Sequence, residues 1–179
     1  MKKIISALIL SLVIFCFTKF SFTDELSDCL LSKYREYANA QKRWQIESTD
    51  LIKQYYPGLS EIADIYMQDQ VLHIEKNLLA VVILLKTNQD KLNSDANLNQ
   101  WLNLTKEDEQ KLARESTKYN ELLIISSDAM KRPPHADVDN LRSAMREEIM
   151  KLPEYQQLLS AFSKHINKLD ARVCDTSKE

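Results

Sequence analysis

A chain of 179 residues, 28% of them charged and 44% hydrophobic, has the size and composition of one soluble domain. It holds one glycine, Gly58, and four prolines, Pro57, Pro133, Pro134 and Pro153, too little turn chemistry for the hairpins of a many-stranded sheet. A formal charge of −2 without a basic cluster argues against nucleic acid, and against an anionic membrane surface, as partner.

The N-terminus reads as an export signal. Lys2 and Lys3 precede an apolar run over residues 4–17, shorter than the roughly 20 residues that span a membrane. The expectation is a cleaved signal peptide over residues 1–23, with processing near Thr23. Residues 24–179 then form a single helical-bundle domain, periplasmic or secreted, with no stable membrane span. The alternative is a chain anchored in the membrane through an uncleaved N-terminus. Lipidation at Cys16 is disfavoured by the bulk of Phe15 just before it. Cleavage removes three lysines and no acid, which takes the formal charge from −2 to −5. It also removes Cys16. The even pair left, Cys29 and Cys174, reads as a disulfide in an exported chain.

The first helix is expected over residues 24–56, with Thr23 as a possible cap. Its seam, at steps of three and four, is Leu30, Tyr34, Tyr37, Gln41, Trp44, Ser48, Leu51 and Tyr55. Pro57-Gly58 stops it. Ser60 then caps a second helix that runs to Leu92. The centre of that helix is residues 78–85, Leu-Leu-Ala-Val-Val-Ile-Leu-Leu, the dry stretch against which the other helices pack. Ala63, Met67, Val71, Ile74, Leu78, Val81 and Leu85 make one face. Ile65, Leu72, Leu79 and Ile83 make a second, which wants either burial inside the bundle or a partner.

Residues 93–103 are rich in asparagine and lack a helical period, with Leu98, Trp101, Leu102 and Leu104 placed to lid one end of the core. Thr105 to Asp108 resembles a capping box opening a third helix, with acids at the positive end of its dipole. Its seam is Leu112, Ser116, Tyr119, Leu123, Ser126 and Met130. Arg132-Pro133-Pro134-His135 breaks the chain, and Asp137 caps a fourth helix. There Val138, Met145, Leu152, Leu159, Ile166 and Val173 recur every seven residues, with only Glu148 out of place on the companion seam. The phase passes through Pro153, so one helix kinked at Pro153 is expected, to about Val173. The fold expected is all-α: an up-down-up-down four-helix bundle with long helices. That topology sets Cys29 and Cys174 at one end, where a bond between them is worth on the order of 4–5 kcal/mol.

Catalytic and metal patterns are missing from the sequence. The Glu-x-x-His of di-iron bundles does not occur: Gln70, Arg132 and Phe162 stand three before His73, His135 and His165. His73 and His165 fall at heights differing by roughly 22 Å at ~1.5 Å per residue, too far to share a haem or metal. No serine sits in a glycine elbow, and Glu147 and Glu148, being adjacent, point apart. The expectation is no enzyme, no cofactor and no metal. Tyr34, Tyr37, Trp44, Tyr55 and Tyr56 read first as packing and second as a groove for a peptide or apolar ligand. With Ile65, Leu72, Leu79, Ile83 and Trp101 they make the candidate partner or ligand surface. The function expected is that of an envelope accessory or protein-interaction module, binding another envelope protein or a second copy of itself. The alternative is a carrier, sensor or chaperone-like module that binds a small apolar ligand or unfolded peptide between the first two helices.

Overall fold

Six helices and four short 3-10 turns make up residues 21–174, the part of the chain that the computed structural model describes. The apolar run over residues 4–17, where an export signal is expected, and Cys16 lie outside the described residues. The helices are α1 (Ser21–Tyr55), α2 (Ser60–Thr87), α3 (Lys106–Glu115), α4 (Thr117–Lys131), α5 (Val138–Glu147) and α6 (Pro153–Asp170). The chain is all-α, with no strand among the described residues. α1 and α2 pack along each other; α6 lies against α1, and α4 against α2. No described helix is long and apolar enough to cross a membrane.

Pro57 forces Tyr56 out of helical geometry, and a 3-10 turn, Pro57–Leu59, reverses the chain. Leu59, not Ser60, holds the cap position of α2, and the Ser60 hydroxyl donates to the Pro57 carbonyl at 2.7 Å. α2 stops at Thr87, short of the expected Leu92. A further 3-10 turn, Gln89–Lys91, carries the chain onward.

Two of the four expected rods are divided. The third breaks at Ser116, whose backbone is extended (φ −143°, ψ 112°) and whose hydroxyl accepts the Tyr119 N–H at 3.2 Å. Its seam position made Ser116 look like an interior residue. A serine competes with helical hydrogen bonds and serves better as a cap. The fourth rod divides around Ile149–Lys151, a 3-10 turn, and Pro153 is not a kink but the first residue of α6. Proline drives Leu152 into extended geometry (φ −63°, ψ 136°) and its missing N–H is harmless at the first helical position. The turn also resolves the misplaced Glu148: Ile149 takes the interior place and is fully buried. Val173, read as a seam residue, is 79% exposed beyond the end of α6. Asp137 precedes α5 without a side-chain cap bond.

The expected capping box is present. Thr105 Oγ1 accepts the Asp108 N–H at 3.2 Å, and the Asp108 carboxylate accepts the Thr105 N–H at 3.0 Å. The Thr105 hydroxyl, which also donates to the Asp108 carboxylate at 2.8 Å, then the Thr105 N–H and the Lys91 ammonium 3.0 Å away, hold the Asp108 carboxyl down at about 2. A depressed carboxylate stabilises the fold above its unfolded value near 4 and loses that contribution as pH falls through its folded one. The stability advantage of the wild type over Asp108→Asn is therefore expected to be constant above about pH 5 and to shrink between pH 4 and 2, measured by urea unfolding.

Two apolar clusters fill the interior. One lies at the cysteine end: Leu30, Tyr34 and Tyr37 of α1, Ala80, Val81, Leu84 and Leu85 of α2, then Leu98, Trp101, Tyr119 and Leu169. The central apolar run of α2 belongs here. The other, near the Pro57 turn, joins Ile52, Ile62, Ala63, Leu141, Ile149 and Tyr155. Tyr119 is wholly buried, and its hydroxyl has no hydrogen-bond partner among the described residues. Burial, with the Glu109 charge nearby, raises its pKa. An unsatisfied buried hydroxyl costs more than it contributes, so Tyr119→Phe is expected to stabilise the protein by about 1 kcal/mol, read as a higher urea midpoint.

Candidate functional site: an amide-lined cleft between α1 and α2

Between the two clusters the facing surfaces of α1 and α2 turn polar. Gln41 and Gln45, one helical turn apart, lie on α1; Gln70, His73 and Asn77 lie on α2. Asn99, Leu102, Asn103 and Leu104 of the irregular segment close the cysteine end, and Glu109 of α3 completes the rim. The result is a half-open cleft of about 460 Å³.

Its charges are settled within the protein. Lys76, a buried lysine, donates to Glu109 Oε1 at 2.6 Å and ties α2 to α3. The His73 ring is exposed at the rim, and partial desolvation there, then the Lys76 charge, lowers its pKa. Its Nε2 is 3.1 Å from the Asn77 amide nitrogen. Gln41 donates to the Tyr37 hydroxyl at 2.9 Å. Among the described residues, the side-chain amides of Gln45, Gln70, Asn99 and Asn103 have no protein partner. Each presents two donors and an acceptor.

The structure scatters the surface drawn from the sequence. Tyr34 and Tyr37 line the cleft but are only 4% and 6% exposed, so they support its floor rather than offer faces. Trp44 turns to the other side of α1, stacking on Phe162 with centroids 5.2 Å apart, in a groove of about 310 Å³ with Arg43, Glu47 and His165. Tyr55 is exposed and donates to Glu154 at 3.2 Å, while Tyr56 packs on the far cluster. Ile65 lines a third depression, beside Arg132 and the two following prolines. Leu79 and Ile83 pack half-buried against the cysteine-end cluster, and Leu72 is half-buried too. Trp101 is completely buried. His73, His135 and His165 line three different depressions.

Cys29 and Cys174 are joined, with Cα atoms 5.8 Å apart. The bond lies at the end of the molecule that shapes the cleft, since Asp170 accepts the Leu98 N–H at 2.8 Å and so holds the closing segment. In the sequence Gln41 showed only as a polar intrusion in an aromatic seam, and Asn99 and Asn103 as part of the asparagine-rich stretch 93–103. Gln45, Gln70 and Asn77 sit off that seam and gave no sign. No protein-family model, curated protein or solved structure matches this chain.

Proposed function

We propose that this chain is an exported, non-enzymatic binding protein of the cell envelope that holds a segment of a partner protein in the α1–α2 cleft. The observation that carries the reading is a set of unpartnered amides contributed by α1, α2 and the 98–104 segment to one cleft. Amides bind by hydrogen bonding but neither ionise nor act as nucleophiles, which favours recognition over catalysis. Export is supported by the Cys29–Cys174 bond, since such bonds persist in oxidising compartments. The reading treats α3 with α4, and α5 with α6, as two interrupted rods of an up-and-down four-rod bundle. Its support is the disulfide that joins the N-terminal part of α1 to the segment after α6, and the flanking of the α1–α2 pair by α4 and α6.

Filling the cleft tests this. Gln70→Trp blocks it from an exposed position, and Ala161→Trp puts the same bulk in the α1–α6 groove as a control. Tagged, exported full-length protein is expected to capture an envelope partner as wild type and as Ala161→Trp, and to lose at least about nine-tenths of it as Gln70→Trp, a factor of about ten. Equal capture by all three overturns the assignment of the cleft.

A second reading, self-association, is favoured by α4, where Ile124, Ile125 and Met130 are exposed. Light scattering that shows a monomer at 100-fold dilution and at high concentration alike would retire it.

A further inference from the structure

We infer that the cleft takes an uncharged, extended peptide segment and recognises its main chain. The inference rests on the cleft being the binding site. It adds the chemical class of the ligand, which follows from three properties of the walls.

Charge comes first. Lys76 and Glu109, the charged side chains that reach the cleft, are bonded to each other at 2.6 Å. A charged ligand would have to break that pair or lie beside it unpaired, both costly away from water. Second, the free groups are carboxamides. A carboxamide matches a peptide unit donor for acceptor, as one strand matches another, and is indifferent to the side chains attached. Leu102 and Leu104, half-buried beside the amides, receive small apolar side chains that alternate with the bonded units. Third, the aromatic floor is closed. Sugars bound by amides also rest on an open ring face, and here Tyr34 and Tyr37 are buried. That disfavours a glycan. The spacing is suitable too: Gln70 to Asn77 spans about 10 Å of helix axis at ~1.5 Å per residue, which matches about three residues of extended chain.

The test uses full-length mature protein labelled with ¹⁵N and two defined probes. One is the blocked pentapeptide acetyl-Ser-Ala-Ser-Ala-Ser-amide; the other is the disaccharide of N-acetylglucosamine. The peptide is expected to shift the side-chain amide signals of Gln45, Gln70, Asn99 and Asn103. The double variant Gln45→Ala, Gln70→Ala, at a half-buried and an exposed position, is expected to weaken it by about tenfold while leaving the backbone spectrum in place. A peptide that moves none of these signals at millimolar concentration, or whose affinity the double variant leaves unchanged, overturns the inference. If the disaccharide shifts them and the peptide does not, the ligand class is wrong while the cleft stands as a binding site. If neither shifts them but Gln70→Trp still abolishes partner capture, main-chain recognition fails and the proposed function survives.

Discussion

Removing the Cys29–Cys174 bond is expected to lower the unfolding free energy by about 5 kcal/mol, the largest single loss foreseen for this chain. The bond links residues 145 apart in sequence, so it ties nearly all of the described residues into one loop. In the chain-entropy account the stabilisation grows with the logarithm of loop length, which puts this bond near the top of the usual range. Against a typical domain stability of about 5–15 kcal/mol, that is a third or more of the total. The folded state keeps other fastenings at the same place. Buried Lys33 donates to the Asp170 and Arg172 carbonyls at 3.1 and 2.8 Å, satisfying the C-terminal end of α6. Arg172 grips Glu36 through two bonds of 2.7 Å, and this pairing holds the Glu36 carboxyl below its ordinary value. Reduced protein is therefore expected to keep its helical circular dichroism while its urea midpoint falls sharply. The double variant Cys29→Ser, Cys174→Ser should reproduce the effect without reductant. A loss under about 1 kcal/mol would show that the unfolded chain already holds its ends together.

The disulfide was legible because it needed little: Cys29 and Cys174 are the pair left once Cys16 is set aside, and the structure joins them. Burial of one stripe of α2 was legible for the same kind of reason, since a run of eight apolar residues has nowhere else to go. What misled was periodicity taken as continuity. Leu141 and Tyr155 keep one phase across Pro153 and are both buried, yet the backbone between them leaves the helix and re-enters it. Common phase records that two segments cover the same neighbours, and says nothing about the hydrogen bonds joining them. Ser116 repeats the lesson without a proline to announce it. The cleft was hidden for a different reason. Gln45 and Gln70 carry the same side chain as any solvated glutamine, and only the approach of the 98–104 segment makes them walls. Whether an amide is solvent-facing or ligand-facing is a property of three elements at once, which no local pattern encodes. For Tyr34, Tyr37 and Trp101 the reading as packing, put first, agrees with their burial. Tyr34 and Trp101 pack on each other, their rings stacking with centroids 5.5 Å apart.

Trp101→Ala is expected to cost about 3–5 kcal/mol and to disable the cleft at the same time. The indole is wholly buried among α1, α2 and α6, and it is the largest buried side chain of an irregular segment that Leu98 and its bond to Asp170 also hold. Its Nε1–H donates to the Ala96 carbonyl at 3.0 Å, its own carbonyl accepts the Asn93 N–H at 3.0 Å, and the Lys33 ammonium lies 5.8 Å from the ring centroid. Truncation empties a space that rigid helices on three sides cannot close. It leaves the Ala96 carbonyl unpaired and takes from Lys33 a neighbour that helps a buried cation. Asn99 and Asn103, two residues to either side of the tryptophan, then lose the frame that presents them to the cleft. Trp101→Phe separates the contributions: it keeps most of the apolar volume and loses the indole bond, so about 1–2 kcal/mol is expected, with the peptide-induced shifts retained. If Trp101→Ala instead leaves stability within about 1 kcal/mol of wild type, the segment is held by Leu98 and its bond to Asp170, and the cleft is built on that contact rather than on the tryptophan.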